Sequence, residues 1–124
     1  MDIVLWIAQI LLALAFLAVG YTHGFNSEKA RSQQGMQWMG AVPKGLLTFI
    51  GIAEILGGIG LIAPAATGLL PWLTPLAAAA LALVMLLAMG FHAMRREYPN
   101  LVFNLVLFGV AAFVAYGRWL IAPL

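Results

Sequence analysis

The sequence predicts an all-α integral membrane protein, built as an antiparallel bundle of four transmembrane helices. Of its 124 residues, 65% are hydrophobic and only 8% are charged, whereas a soluble domain carries about 25% charged residues. The apolar residues fall into four runs of about 18 to 20 residues, the length that crosses roughly 30 Å of hydrocarbon. The later runs are joined by short connections, which favour helices that alternate in direction.

The expected helices are bounded by loop and proline signals. A single domain spanning 1–124 would hold four helices and one long polar loop, at about 3–21, 45–63, 75–93 and 99–118, with the loop at 22–44. Pro64 is expected to end the second helix. Thr74 is the expected N-cap of the third, followed by Pro75 in its first turn. In the loop, Trp38 and Met39 form an apolar edge that suits the membrane interface.

The basic residues predict an orientation. Five of the six fall in the first and third loops: Lys29, Arg31, Lys44, Arg95 and Arg96. The other side carries only Arg118, which we expect to extend toward lipid headgroups. An excess of Lys and Arg marks cytoplasmic loops, so both termini are predicted to lie outside. A net charge of +2, so scattered, gives no argument for a nucleic-acid partner.

Glu54 is the most unusual residue of the second helix. It lies in the apolar, glycine-rich run 51–64, and a carboxyl group at such a depth requires a partner or a function. Three interpretations stay open. Glu54 is a structural acid hydrogen-bonded to Asn104 or a hydroxyl, or is paired with His92 or His23, or handles a proton or a ligand.

Several polar residues are expected in the same half of the bundle as Glu54. Antiparallel helices bring their loop-side ends together, so we expect a pocket that opens toward the cytoplasm, with His92 and Asn104 nearest to Glu54. The candidate ligand-binding residues are Glu54, His92, Asn104, His23 and Thr48. No metal site is expected, because the chain has no cysteine and the histidine spacing matches no metal signature.

Three glycines near Glu54 are candidates for helix packing: Gly51, Gly57 and Gly58. Ala53 and Gly57 form a pair of small residues four apart, which lets another helix approach closely. Packing is the favoured interpretation. The alternative is that the glycines leave space beside Glu54 for a ligand.

Several segments resemble those of a known family. They are 17–21 at the end of the first helix, 51–64 in the second, Phe91-His92 at the end of the third, and Pro99, Asn104 and 113–118 in the fourth. With them the chain resembles, over nearly its whole length, the DoxX-like family of small four-helix bacterial membrane proteins. The resemblance implies the bacterial cytoplasmic (inner) membrane. Many members carry a lysine shortly after the first-helix glycine, where this chain has His23.

The resemblance also implies a range of functions, because the family is linked to thiosulfate and quinone oxidation. The first hypothesis is a protein that binds a hydrophobic ligand, quinone or lipid-like, in a pocket inside the bundle and serves as an accessory component of a membrane redox system. The second is an assembly or chaperone-type protein that binds a membrane protein partner or a second copy, without a ligand. The third is a small proton-handling isomerase or transporter using Glu54 and His92. No catalytic set is evident, so we expect no independent enzymatic activity.

Overall fold

The computed structural model describes residues 1–30, 32 and 36–124; Arg31, one of the basic loop residues, lies outside them. The elements are α1 (Asp2–Phe25), α2 (Ser27–Ala30), a 3₁₀ segment (Gln37–Ala41), α3 (Lys44–Thr67), α4 (Leu73–Met94), α5 (Tyr98–Tyr116) and a π-helical turn (Gly117–Ile121). In the described part of the chain, four helices are long and apolar enough to cross a membrane: α1, α3, α4, and α5 with its π-helical turn. The predicted all-α, four-helix membrane fold is confirmed.

The bundle is built from two tightly packed pairs of helices. α1 packs mainly against α3 and α4 against α5, while α3 also contacts α4 and so joins the pairs. Phe16, Leu61, Leu81 and Val114 meet in the central core. The outward faces carry exposed leucine, isoleucine, valine and phenylalanine side chains, as a surface in contact with lipid should.

α1 and α3 come closest where three glycines meet. A Cβ atom added to Gly51 would lie 2.6 Å from the carbonyl oxygen of Gly20 and 2.7 Å from Cα of Gly24. Only the hydrogen side chain of glycine fits at position 51. Since Gly24 is near the end of α1 and Gly51 is seven residues into α3, about 10 Å of α3 extends past the end of α1.

The first loop covers this projecting part of α3. Ala30 and Met39 are buried against Leu47, and Trp38 and Val42 pack around them. Met39 and Trp38 therefore cover the end of the bundle instead of forming only an apolar edge in the membrane interface. We call this end, which carries residues 26–30, 36–43 and 95–97, the loop end.

Pro64 does not end the second spanning helix, contrary to expectation. α3 continues to Thr67 and is capped by Gly68 in the left-handed conformation (φ 73°). Pro64 has no N–H to bond the Gly60 carbonyl, as the helix would require. The hydroxyl of Thr74 donates to that carbonyl instead, at 3.1 Å.

Thr74 is therefore not the N-cap of the third spanning helix. α4 begins one residue earlier, at Leu73, after Trp72. Thr74 is fully buried, facing α3. Its hydroxyl serves the contact between two helices, a role that the local sequence pattern of Thr followed by Pro does not reveal.

Candidate functional site

Glu54 is paired with His23 inside the bundle. Oε1 of Glu54 lies 2.6 Å from Nδ1 of His23, with Glu54 fully buried and His23 9% exposed. Among the described residues, His23 is the only hydrogen-bond partner of Glu54, and Oε2 has none. A buried polar atom without a partner costs about 1–3 kcal/mol, so this oxygen is the unsatisfied position of the pair.

His23 reaches Glu54 because α1 is longer than expected. The helix continues one turn past Tyr21 to Phe25, and the Asn26 N–H bonds the Thr22 carbonyl at its end. His23 therefore falls on the buried stripe of α1, three residues after Gly20. Glu54 likewise lies three residues after Gly51 on α3. Both side chains therefore lie beside the contact between Gly20 and Gly51.

His92 and Asn104, the expected neighbours, do not bond Glu54. Nδ1 of His92 lies 2.9 Å from Oε1 of Glu97. Asn104 is buried on α5, and no hydrogen bond in the described residues joins it to Glu54. Thr48 is six residues before Glu54, about 120° round the helix from it. Of the three interpretations of Glu54, the pair with histidine is the arrangement found, through His23.

Trp38 connects the two histidine–carboxylate pairs. Its ring centroid lies 5.2 Å from that of His23, 5.0 Å from that of His92 and 5.9 Å from that of Phe91, all in edge-to-face geometry. Aromatic rings prefer this arrangement because the edge of one faces the electron-rich face of the other. Trp38, carried by the 3₁₀ segment, thus covers the loop end of the site.

Glu97 is held in its charged form outside the spanning helices. Burial acts to raise its pKa, but the hydrogen bonds and positive charges of His92 and Arg95 outweigh this and hold the pKa of Glu97 below its ordinary value. Nε of Arg95 donates to Oε1 of Glu97 at 3.1 Å. Neither Trp38 nor Glu97 was among the site residues expected from sequence.

The glycines around Glu54 face neighbouring helices. A Cβ atom on Gly57 would lie 2.6 Å from Cδ2 of Leu81 on α4. One on Gly58 would lie 3.3 Å from the Ala13 carbonyl oxygen on α1. Together with Gly51, these residues let α3 approach α1 on one side and α4 on the other.

Two clefts in the described part of the structure lie away from Glu54. One, of about 410 Å³, is an apolar groove between α1 and α3, lined by Ile10, Ala13, Leu14, Leu17, Gly58, Ile59, Ile62 and Ala63. Another, of about 320 Å³, lies at the loop end between residues 24–29 and Lys44. Neither is lined by Glu54 or His23, so the pair is closed. In the described residues, no three histidine or acidic side chains lie close enough to hold a metal ion.

A second polar cluster lies at the opposite end of the bundle, around Arg118. Arg118 is 2% exposed and is held by protein groups, whereas we expected its side chain to extend freely toward lipid headgroups. Its Nε donates to Oε1 of Gln9 at 2.6 Å, and its Nη1 donates to Asp2 at 2.5 Å and to the Ala122 carbonyl at 3.0 Å. Gln9 in turn donates to the Leu61 carbonyl at 2.7 Å.

A spacing signal for this second cluster was present in the sequence. Arg118 continues the buried stripe of α5, four residues after Val114. Gln9 lies on the buried stripe of α1, four residues after Leu5. Polar residues at core positions of two helices favour a contact between them, although the contact itself depends on how the helices are aligned.

The family comparison covers most of this architecture. The sequence model of the DoxX-like family matches residues 7–114. Neither curated proteins nor solved structures give a match to this chain. The matched region includes His23, Trp38, Glu54 and Glu97 and ends before Arg118. With four membrane-crossing helices and a match over most of its length, this multi-pass membrane protein belongs to the DoxX-like family.

Proposed function

We propose that the protein binds the polar head of a hydrophobic, lipid-phase molecule of the quinone or lipid-like class at the Glu54–His23 pair. The observation that carries the proposal is Oε2 of Glu54, a buried oxygen without a hydrogen-bond partner. A hydroxyl group of the ligand, as in a quinol, would donate to this oxygen. The hydrogen bond between Nδ1 of His23 and Oε1 of Glu54 would hold the carboxyl group in position for this contact.

The rings around the pair support a flat ligand head. Trp38, Phe91 and His92 contact one another edge to face next to His23. Binding sites for small molecules combine such apolar walls with few polar groups. Because the pair is closed in this structure, binding requires the 3₁₀ segment that carries Trp38 to move outward.

The wider role in this proposal is that of an accessory component of a membrane redox system, with quinone as the bound cofactor. It rests on the family resemblance. The orientation belongs to the same proposal: the loop end faces the cytoplasm of a bacterial cell, because Lys29, Lys44, Arg95 and Arg96 lie there. Reactive labels added from outside intact cells would test the orientation at a cysteine introduced beside Lys29.

A thermal-shift experiment tests ligand binding. The purified protein in mild detergent would be titrated with a short-chain quinol, and its unfolding temperature compared with those of Glu54→Gln and Glu28→Gln. Glu28 is the matched control, since it is a carboxylate of the loop end in an exposed pair with Lys44. A ligand at one hundred times its Kd stabilises the folded state by about 2.7 kcal/mol.

We expect the quinol to raise the unfolding temperature of the wild type and of Glu28→Gln, and to raise that of Glu54→Gln much less. The amide keeps the size of the side chain but changes the acceptor that the ligand would use. Equal shifts for all three proteins would contradict the proposal.

A second candidate, assembly with a membrane partner, has one observation in its favour. The apolar groove between α1 and α3 lies on the outer side of the bundle and contains the small residues Ala13, Gly58 and Ala63, which suit a close helix contact. Ala63→Leu would fill the groove from an exposed position. If this protein forms a complex in native membranes, the variant should dissociate it; an unchanged complex would count against this candidate.

A further inference from the structure

We propose a second binding site at the end of the bundle opposite Glu54, in which Arg118 holds the ester carbonyl oxygen of a membrane lipid. The site does not depend on the quinone proposal, because it shares no residue with the Glu54–His23 pair. Its centre is Nη2 of Arg118, a buried nitrogen without a hydrogen-bond partner in the described structure.

The donors of Arg118 can be counted. A guanidinium group has five N–H donors. The one on Nε is used by Gln9, and the two on Nη1 are used by Asp2 and Ala122. The two on Nη2 remain. Nε and Nη1 of Arg118 are thus occupied by three acceptors, and Nη2 is a preformed donor for a further oxygen.

The charge balance at Arg118 favours a neutral acceptor at Nη2. Asp2 already balances the positive charge of Arg118 through the contact with Nη1. An anionic oxygen on Nη2 would add an excess negative charge in a region of low dielectric, where such a charge is costly. A carbonyl oxygen accepts the same hydrogen bonds without that cost.

The position of Arg118 along the bundle favours the ester region of a lipid as the source of this oxygen. Asp2 lies in the first turn of α1 and its side chain is 64% exposed, whereas Gln9 is fully buried, seven residues or about 10 Å further along the helix. The guanidinium of Arg118 bonds both. It therefore lies across the boundary between the headgroups and the hydrocarbon, where the ester carbonyls of glycerolipids are found.

Trp6 completes the site. Its ring centroid lies 5.7 Å from Cζ of Arg118, within the range of a cation–π contact, and Trp6 is half-buried. Tryptophan is enriched at this level of the bilayer because one edge is polar and the rest apolar. In the proposed site the lipid carbonyl approaches Nη2 beside this ring.

A comparison of ester-linked with ether-linked lipids tests this proposal. The wild type and Arg118→Lys would be reconstituted in diphytanoyl phosphatidylcholine with ester linkages and in its ether analogue, which has the same headgroup and chains but no carbonyl. We expect the wild type to unfold roughly 3–6 °C higher in the ester lipid. Arg118→Lys, which has no Nη2, should unfold at one temperature in both.

An equal unfolding temperature of the wild type in both lipids would overturn the proposal, because it would mean that a phosphate or a water molecule satisfies Nη2. A second measurement uses the wild type alone and so does not depend on whether a variant folds. With ¹⁵N-arginine in the wild type and ¹³C at the lipid ester carbonyl, solid-state NMR should transfer magnetisation between the carbonyl and Nη2 of Arg118. Absence of transfer at Arg118 would equally overturn it.

Discussion

His23 and Glu54 join α1 to α3 through a buried contact of 2.6 Å between Nδ1 and Oε1. The contact lies beside the point where Gly20, Gly24 and Gly51 bring the two helix backbones together. The closest approach of the two backbones and the His23–Glu54 pair thus lie on the same interface between α1 and α3. The glycine contact brings His23 near Glu54, and the pair leaves Oε2 of Glu54 without a hydrogen-bond partner among the described residues.

Removal of His23 should destabilise the protein more than removal of both partners. His23→Phe leaves Glu54 buried without its partner, and we expect a loss of about 2 kcal/mol or more in the free energy of unfolding. Adding Glu54→Leu should recover most of that loss, because two apolar groups leave no polar atom unsatisfied. Unfolding in mild detergent measures both, and strictly additive losses would show that the two side chains are not coupled.

The glycine contact predicts a difference between two alanine substitutions. Gly51→Ala places a methyl group against the backbone of α1, so we expect a loss of about 1–3 kcal/mol. Gly90→Ala in α4 meets nothing within 4 Å and should stabilise the helix by up to about 1 kcal/mol. The free energies of unfolding of the two variants check the prediction, and similar values for both would rule out the close approach.

Trp38 should protect the ends of α1 and α4 from solvent. Trp38→Ala removes the ring that contacts His23 and His92, so we expect faster amide hydrogen exchange over the last turns of both helices. Trp72→Ala is the control, because Trp72 is 57% exposed and lies at the other end of α4. If amide exchange at the ends of α1 and α4 is the same in both variants, Trp38 does not shield these helix ends from solvent.

The lowered pKa of Glu97 predicts a pH dependence. A carboxyl group whose pKa is lower in the folded state stabilises that state above its unfolded pKa, and the contribution disappears as the pH falls through the folded value. The wild type should therefore be more stable than Glu97→Gln at neutral pH. We expect a difference of about 1 kcal/mol or less, because solvent reaches the contact between Glu97 and Arg95. The difference should shrink below about pH 4. Unfolding temperatures between pH 3 and 7 check this, and a constant difference would contradict it.

The sequence was sufficient for the fold because composition and apolar run length dominate it. The four spanning helices and the bundle follow from the need to bury backbone polar groups in lipid. The small residues around Glu54 also indicated close helix packing. Their actual contacts, Gly51 with α1 and Gly57 with α4, depend on the orientation of α3, which composition does not determine.

The partner of Glu54 could not be deduced because the sequence does not show how far one helix extends past its neighbour. Glu54 is ten residues into α3, whereas His23 is two residues from the end of α1. Since α3 extends about 10 Å past α1, the two side chains nevertheless meet. The same reason applies to Thr74, whose bond to the Gly60 carbonyl follows from the alignment of two helices.

The most direct test of ligand binding at Glu54 uses Trp38 as the reporter. In a protein whose other tryptophans, Trp6, Trp72 and Trp119, are replaced by phenylalanine, a short-chain quinone should quench the fluorescence of Trp38 in a saturable manner, and its quinol should compete. Glu54→Gln should weaken the apparent affinity for the quinol about tenfold, the equivalent of one hydrogen bond, while Glu28→Gln leaves it unchanged. Quenching that does not saturate, or equal quinol affinities in all three proteins, would contradict a ligand site at Glu54.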